Sequence, residues 1–221
     1  MSAPTDSHGI REREIEVPPL GLGGSLRVPE SALGVVLFAH GSGSGRFSPR
    51  NVAVASRLND SGYATLLLDL LTDAEAGDQR NVFDIRLLAD RLLLAVRFLD
   101  ADPDTTGLPL GLFGASTGAG AALVAAAELG SRVRAVVSRG GRADLAGEAL
   151  DHVTNPTLLI VGGHDTVVIE LNQQALAQLR GEKALMIVPG ATHLFEEHGA
   201  LGEVTRLAID WFGAHLAHAH R

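Results

Sequence analysis

Residues 110–120 read Leu-Gly-Leu-Phe-Gly-Ala-Ser-Thr-Gly-Ala-Gly, and no other stretch restricts the fold of this chain as strongly. A short apolar run ends at Gly114-Ala115-Ser116-Thr117-Gly118, and an alanine-rich segment of helical character, Ala119 to Leu129, begins at once. The pattern predicts a strand, a tight turn and a helix, with Ser116 at the apex. A serine at such an apex takes a strained backbone conformation, so its neighbours have to be small. Gly114 and Gly118 remove β-carbons that would collide with the turn, and Ala115 keeps it slim. The hydroxyl then projects clear of the strand ends, and the first N–H groups of the next helix point toward the atom it would attack. In a chain with 26 glycines the G-x-S-x-G string alone is a modest signal, and its place between strand and helix gives it weight.

The rest of the chain alternates in kind. Glu12–Val17 and Ser25–Val28 are weakly alternating and separated by Pro18, Pro19 and glycines, as in an antiparallel pair at a sheet edge. Leu33–Ala39 is continuously apolar, the mark of a strand covered on both faces, and Ser48-Pro49 predicts a helix start running to about Asp60. Tyr63–Leu68 reads as a buried strand ending at Asp69, followed by a polar loop through Asn81. A helix is expected over Phe83–Leu99, with Ile85, Leu88, Leu92, Ala95 and Leu99 on one stripe. Further strands are expected at Val133–Ser138, Leu158–Val161 and Leu185–Val188, and helices at about Val168–Arg180 and Gly202–Ala217. This alternation implies an α/β fold, a mostly parallel central sheet with helices on both faces. The interval from Ser138 to Thr157 is too short for a lid domain, so the site should be open. A chain of 221 residues suits one domain, expected over 10–217, between a flexible lead-in at 1–9 and a tail at 218–221.

Composition narrows the chemistry. The absence of cysteine removes disulfides, thiolate metal sites and cysteine nucleophiles. A formal net charge of −8 disfavours nucleic acid and anionic membrane as partners, since both call for a basic surface. The polar start, Met1 to Gly9, lacks a signal-peptide core and no apolar run reaches membrane-spanning length, so a cytoplasmic protein is expected. His215, His218 and His220 have no ligand-rich surroundings and read as a solvated tail; neither metal nor cofactor is expected, and the oligomeric state is not legible.

The glycine-rich loop His40-Gly41-Ser42-Gly43-Ser44-Gly45 has nucleotide-binding rivals to exclude. A dinucleotide fingerprint needs glycine where Arg46 stands, and the Gly-Lys-Ser/Thr of a P-loop is missing. Read as His-Gly-x-Gly, the loop supplies one backbone N–H of an oxyanion hole, that of Ser42, with the amide of Thr117 as the other.

In hydrolases built on such an elbow, the partners follow in the order serine, acid, histidine. The strand at Leu158–Val161 runs into Gly162-Gly163-His164-Asp165, and that at Leu185–Val188 into Pro189-Gly190-Ala191-Thr192-His193. Asp165 and His193 therefore both lie beyond strand carboxyl ends, the edge where open α/β sheets bind ligands. His193 would take the Ser116 proton during attack on a carbonyl and return it to the leaving group, while Asp165 orients the imidazole and stabilises its charged form. Asp144 is the rival acid, but reads as a helix N-cap; Asp69 precedes the nucleophile and reads as structural. Arg46, Arg50, Arg139 and Arg142 lie on loops or strand ends near this edge, where they either grip an anionic substrate or pair with surface carboxylates.

On these motifs (His40-Gly41-Ser42-Gly43, Gly114 to Gly118, Gly162 to Asp165 and Gly190 to His193) the chain resembles the dienelactone-hydrolase-like group of α/β-hydrolases, from about Val35 to Phe212. The resemblance implies hydrolysis of a small carboxylic ester or lactone through an acyl-Ser116 intermediate, with no cofactor and a small acyl substrate as partner. Ser116, Asp165 and His193 would be catalytic, Ser42 and Thr117 the oxyanion hole, and His40, Arg46 and Arg139 substrate contacts. Authentic dienelactone hydrolases carry a cysteine where this chain has Ser116, and similar serine-bearing domains occur beside phosphoribosyltransferase domains. The alternatives are a thioester, amide or carbon–carbon hydrolase using the same three residues, or an idle hydrolase fold serving as a binding or regulatory module.

Overall fold

The structure, a computed structural model, describes residues 9–216. The lead-in before Gly9, the tail at 218–221 and with it His218 and His220 lie outside the described residues. Eight strands form one sheet in the order β1-β2-β4-β3-β5-β6-β7-β8: β1 Ile10–Val17, β2 Leu22–Pro29, β3 Val35–Ala39, β4 Ala64–Leu68, β5 Leu110–Ala115, β6 Val133–Arg139, β7 Thr157–Gly162 and β8 Lys183–Val188. Antiparallel pairing is confined to β1–β2 and β2–β4; from β4 to β8 every pair is parallel. The edge hairpin and the mostly parallel sheet expected from the sequence are both present.

The residue-by-residue alternation of a strand decides the two layers. In β3, Val35, Leu37 and Ala39 join Leu110 and Leu112 of β5 in a core shared with helices α4 (Ile85–Ala101) and α5 (Thr117–Leu129). The intervening Val36 and Phe38 turn the other way and join Phe113 of β5 in a second core against α1 (Pro49–Asp60) and α7 (Ala200–Leu216). Phe38 and Phe113 are register partners, and their rings stack with centroids 4.8 Å apart. With both faces covered, the central strands are wholly buried, which is why they read as unbroken apolar runs.

Some details differ from the sequence expectation. The polar stretch after β4 contains two single-turn helices, α2 (Asp73–Ala76) and α3 (Gln79–Val82). Thr72 and Glu75 form a reciprocal capping box on α2, and Asp78 accepts from the Arg80 N–H at the start of α3. Asp84 caps α4 through the Leu87 N–H at 2.9 Å, so that helix begins at Ile85 rather than Phe83. Asp144 is not an N-cap: it sits in the first turn of a 3₁₀ stretch, Ala143–His152, and its carboxylate takes two hydrogen bonds from Arg142, at 2.9 and 2.8 Å. That short stretch, broken at Gly147 (φ 53°), is all the helical structure between β6 and β7, so no lid covers this edge. Helix α6 (Thr166–Gln178) completes the layers. No helix among the described residues is long and apolar enough to cross a membrane.

Candidate active site

Ser116 stands where β5 gives way to α5, at φ 51° and ψ −124°, one of two non-glycine residues with positive φ among those described. Such a conformation costs on the order of 1–3 kcal/mol and persists only where its surroundings enforce it. Here they do. The Ser116 carbonyl accepts from the N–H groups of Ala119 (3.1 Å) and Arg142 (3.0 Å), and its own N–H donates to the Arg139 carbonyl. A Cβ on Gly114 would strike the backbone of Ala119, and one on Gly118 would strike the carbonyls of Ala39 and His40. The elbow is thus locked against the end of β3 by contacts that only glycine permits.

The same close approach brings the glycine-rich loop to the serine. A Cβ on Gly41 would lie 2.9 Å from the Ser116 Cβ and 3.2 Å from the Ala115 carbonyl. Backbone can therefore run directly beside the hydroxyl, and the N–H of Ser42 follows at once; Thr117, at the first position of α5, is buried. Two backbone donors at such a place are what an oxyanion hole requires.

The loops after β7 and β8 are tied together by the Gly163 N–H on the Val188 carbonyl and the His164 N–H on the Ala191 carbonyl, both at 2.9 Å. This tie presents His193 to Asp165: Nδ1 lies 2.6 Å from Oδ2. Asp165 holds the N-cap position of α6 yet makes no cap bond to that helix; its carboxylate is given to the imidazole instead. With Nδ1 donating to a carboxylate, Nε2 is left as the basic nitrogen, the tautomer that accepts a proton from a nearby hydroxyl. His193 and Ser116 line one cavity of about 240 Å³ together with Ser42, Arg50, Arg139 and Leu194.

The three candidate substrate contacts separate. Arg139 lines that cavity and is only 6% exposed. Burial, with Arg50 adding like-charge repulsion, pushes its guanidinium down to about 10. A buried cation with no acid beside it costs several kcal/mol, so its retention calls for a reason. Its nearest side-chain partner is neutral, Asn51 Oδ1 at 3.2 Å from Nη2. Arg46 and His40 instead line the adjoining cavity of about 610 Å³, across the loop from Ser116. Arg46 is held by Asp69, through both its backbone N–H and its guanidinium, with Glu14 near by. His40 spends both ring nitrogens inside the protein: Nδ1 donates to the Gly41 carbonyl at 2.9 Å and Nε2 accepts from the Leu70 N–H at 3.1 Å. It braces the loop rather than offering a hydrogen bond to a ligand.

Burial lowers the His40 pKa, outweighing the opposing pulls of the Gly41 carbonyl and Asp69. The unfolded chain therefore takes up a proton near the ordinary histidine value, ~6.5, while the folded chain does not. Stability is expected to fall as pH drops through that region, levelling only below the folded value. Thermal unfolding of wild type and His40→Gln between pH 7 and 5 checks this: the glutamine protein should lose less, and equal losses would remove His40 as a cause.

Asn51 was not legible as a site residue, although it bonds Arg139 and lines the cavity. A signal existed. Asn51 lies on the same stripe of α1 as Val54, Ala55 and Leu58, and a polar side chain there is buried at 1% exposure. No group of His, Asp and Glu among the described residues is placed to hold a metal ion.

Comparison with known proteins agrees with this fold. The profile of the dienelactone hydrolase family matches residues 22–214. The crystal structure of a dienelactone hydrolase from Anabaena variabilis superposes with a TM-score of 0.90 at 55% identity, covering 95% of this chain and all of that one. Est1E from Butyrivibrio proteoclasticus, solved with ferulic acid bound, shares the fold at a TM-score of 0.75 and 19% identity, over 93% of this chain and 99% of its own. A Mycobacterium tuberculosis protein named as a phosphoribosyl transferase, found in two strains, is 58% identical over 209 residues. That alignment takes in 94% of this chain but 47% of the relative, so the chain spans about half the length of the curated relatives it matches.

Proposed function

This chain belongs to the dienelactone hydrolase family, and on that premise we propose that it hydrolyses a small carboxylic ester or lactone through an acyl-serine intermediate. The observation that carries the reading is the 2.6 Å contact between Asp165 and Nδ1 of His193, the histidine that lines one cavity with Ser116 at its elbow. Ser116 Oγ attacks the carbonyl carbon as His193 Nε2 takes its proton. The developing oxyanion is received by the N–H groups of Ser42 and Thr117. Collapse breaks the bond to the leaving alkoxide, which collects the proton from His193, and water repeats the sequence to release the acid. Asp165 stabilises the imidazolium throughout.

With no lid over this edge and a small cavity beside Ser116, the reading favours short acyl groups over long buried chains. Thioester, amide or carbon–carbon cleavage would use the same three residues and differ only in the leaving group. The name of the mycobacterial relatives describes phosphoribosyl transfer, and we assign that chemistry to the half of those proteins that this chain does not match. A fluorophosphonate probe applied to the purified protein, followed by peptide mapping, is expected to label Ser116, alongside turnover of short p-nitrophenyl esters. A folded protein that neither labels nor turns over such esters leaves the idle-fold alternative in place.

A further inference from the structure

Of the four arginines at this edge, Arg139 alone has no acid partner, and two of the others are closed by acids away from the Ser116 cavity. Arg46 is closed by Asp69, and Arg142 by Asp144. The other two, Arg50 and Arg139, line the Ser116 cavity. Arg139 makes its hydrogen bond to a neutral amide, Asn51, and its Nε, like that of Arg46, is buried without a hydrogen-bond partner. Arg50 reaches one carboxylate, Glu196 at 3.2 Å, whose side chain is 64% exposed on the rim, and its own Nε is also buried without a partner.

The start of helix α1 opens into the same cavity, through Ser48, Arg50 and Asn51. Ser48 holds the N-cap position but makes no side-chain cap bond. The first helical bond runs from the Val52 N–H to the Ser48 carbonyl, so the N–H groups of Arg50 and Asn51 lie ahead of the ladder at the positive end of the helix dipole. The hydroxyls of Ser42 and Ser44 complete the wall.

We propose that this wall is a phosphoryl subsite, and that the natural ester carries a phosphate monoester on its acyl part, seated between Arg50, Arg139 and the start of α1. The inference rests on the hydrolase reading for its reaction but not for its binding. Two guanidinium groups, the N–H groups of Arg50 and Asn51 and the hydroxyls of Ser42, Ser44 and Ser48 belong to residues lining one small cavity. A carboxylate offers two oxygens to such a set, whereas a phosphate monoester offers three, with more charge. The phosphate remains intact through the reaction. The bond that forms joins Ser116 Oγ to the acyl carbon, the one that breaks joins that carbon to the leaving oxygen, and the proton passes through His193 to the departing alcohol.

Inorganic phosphate is the first probe, titrated calorimetrically into the wild-type protein and into Arg50→Gln and Arg139→Gln, with acetate and succinate as the carboxylate arm. Wild type should bind phosphate at least about tenfold more tightly than either carboxylate, and each variant should lose at least about tenfold. Arg50→Gln, at a partly exposed site, keeps the test valid if the buried Arg139 variant does not fold. The second probe is a pair of p-nitrophenyl esters, one of phosphoglycolate and one of acetate: the ratio of their kcat/KM values should favour the phosphorylated acyl group and collapse in Arg50→Gln. Equal affinity for phosphate and carboxylate, or no phosphate binding in a protein that turns over neutral esters, overturns the subsite alone. Phosphate binding that both arginine variants lose, in a protein that turns over no ester, overturns the hydrolase reading and leaves the subsite standing.

Discussion

The Ser116→Ala protein is expected to fold as the wild type does and to lose short-chain ester hydrolysis by about 10⁶-fold in kcat, the scale on which a triad nucleophile acts elsewhere. The strain at Ser116 complicates the control, because alanine at φ 51° is no more comfortable than serine. Glycine is. Ser116→Gly therefore belongs beside the alanine variant: it should be at least as stable as wild type in denaturant and equally inactive. Inactivity in both, with native circular dichroism, assigns the loss to the missing hydroxyl. Undiminished turnover in either folded protein would sink the nucleophile assignment.

The second large effect separates two carboxylates. Asp165 meets the imidazole at 2.6 Å, whereas Asp144 is taken up by two hydrogen bonds from Arg142. An amide at position 165 can keep the shape of the contact but favours the wrong imidazole tautomer, a change that costs about 10⁴-fold in kcat in serine proteases. Asp165→Asn should approach that loss. Asp144→Asn removes only a partly exposed ion pair and should change kcat by less than about tenfold, or ~1.4 kcal/mol in barrier. Both variants measured on one ester decide the matter, and greater damage from Asp144→Asn would reverse the assignment.

The strands and the elbow were legible because their causes are local. Double-sided burial writes unbroken apolar runs into β3, β4 and β5, and a strained turn between packed elements demands Gly114 and Gly118. The contact between Asp165 and His193 was foreshadowed by their places after β7 and β8, which are neighbours in the sheet. The helices after β4 were missed although their signal was present: Thr72 three residues ahead of Glu75 is a capping box in the sequence itself. The arginines were another matter. Nothing local distinguishes Arg46 from Arg139. One meets Asp69 from another strand end, and the other meets only an amide from α1, and both partners arrive through tertiary packing. Asp144 misled for a local reason: Arg142, two residues earlier, offered its carboxylate a stronger partner than a helix N–H.

Three of the helices that begin at the edge holding Ser116, α1 behind Ser48, α5 behind Ser116 and α6 behind Asp165, have N-cap side chains that make no bond to their own helix. At the same edge, in the segment after β4, Thr72, Asp78 and Asp84 each satisfy a helix start. A missing cap forgoes roughly 1 kcal/mol. The helix starts behind Ser48, Ser116 and Asp165 are therefore held less firmly than those after β4. Amide hydrogens in the first turns of α1, α5 and α6 should exchange with solvent through local openings that leave the far ends of the same helices closed. The three helix starts that hold the candidate site residues are thus also where this fold should breathe first.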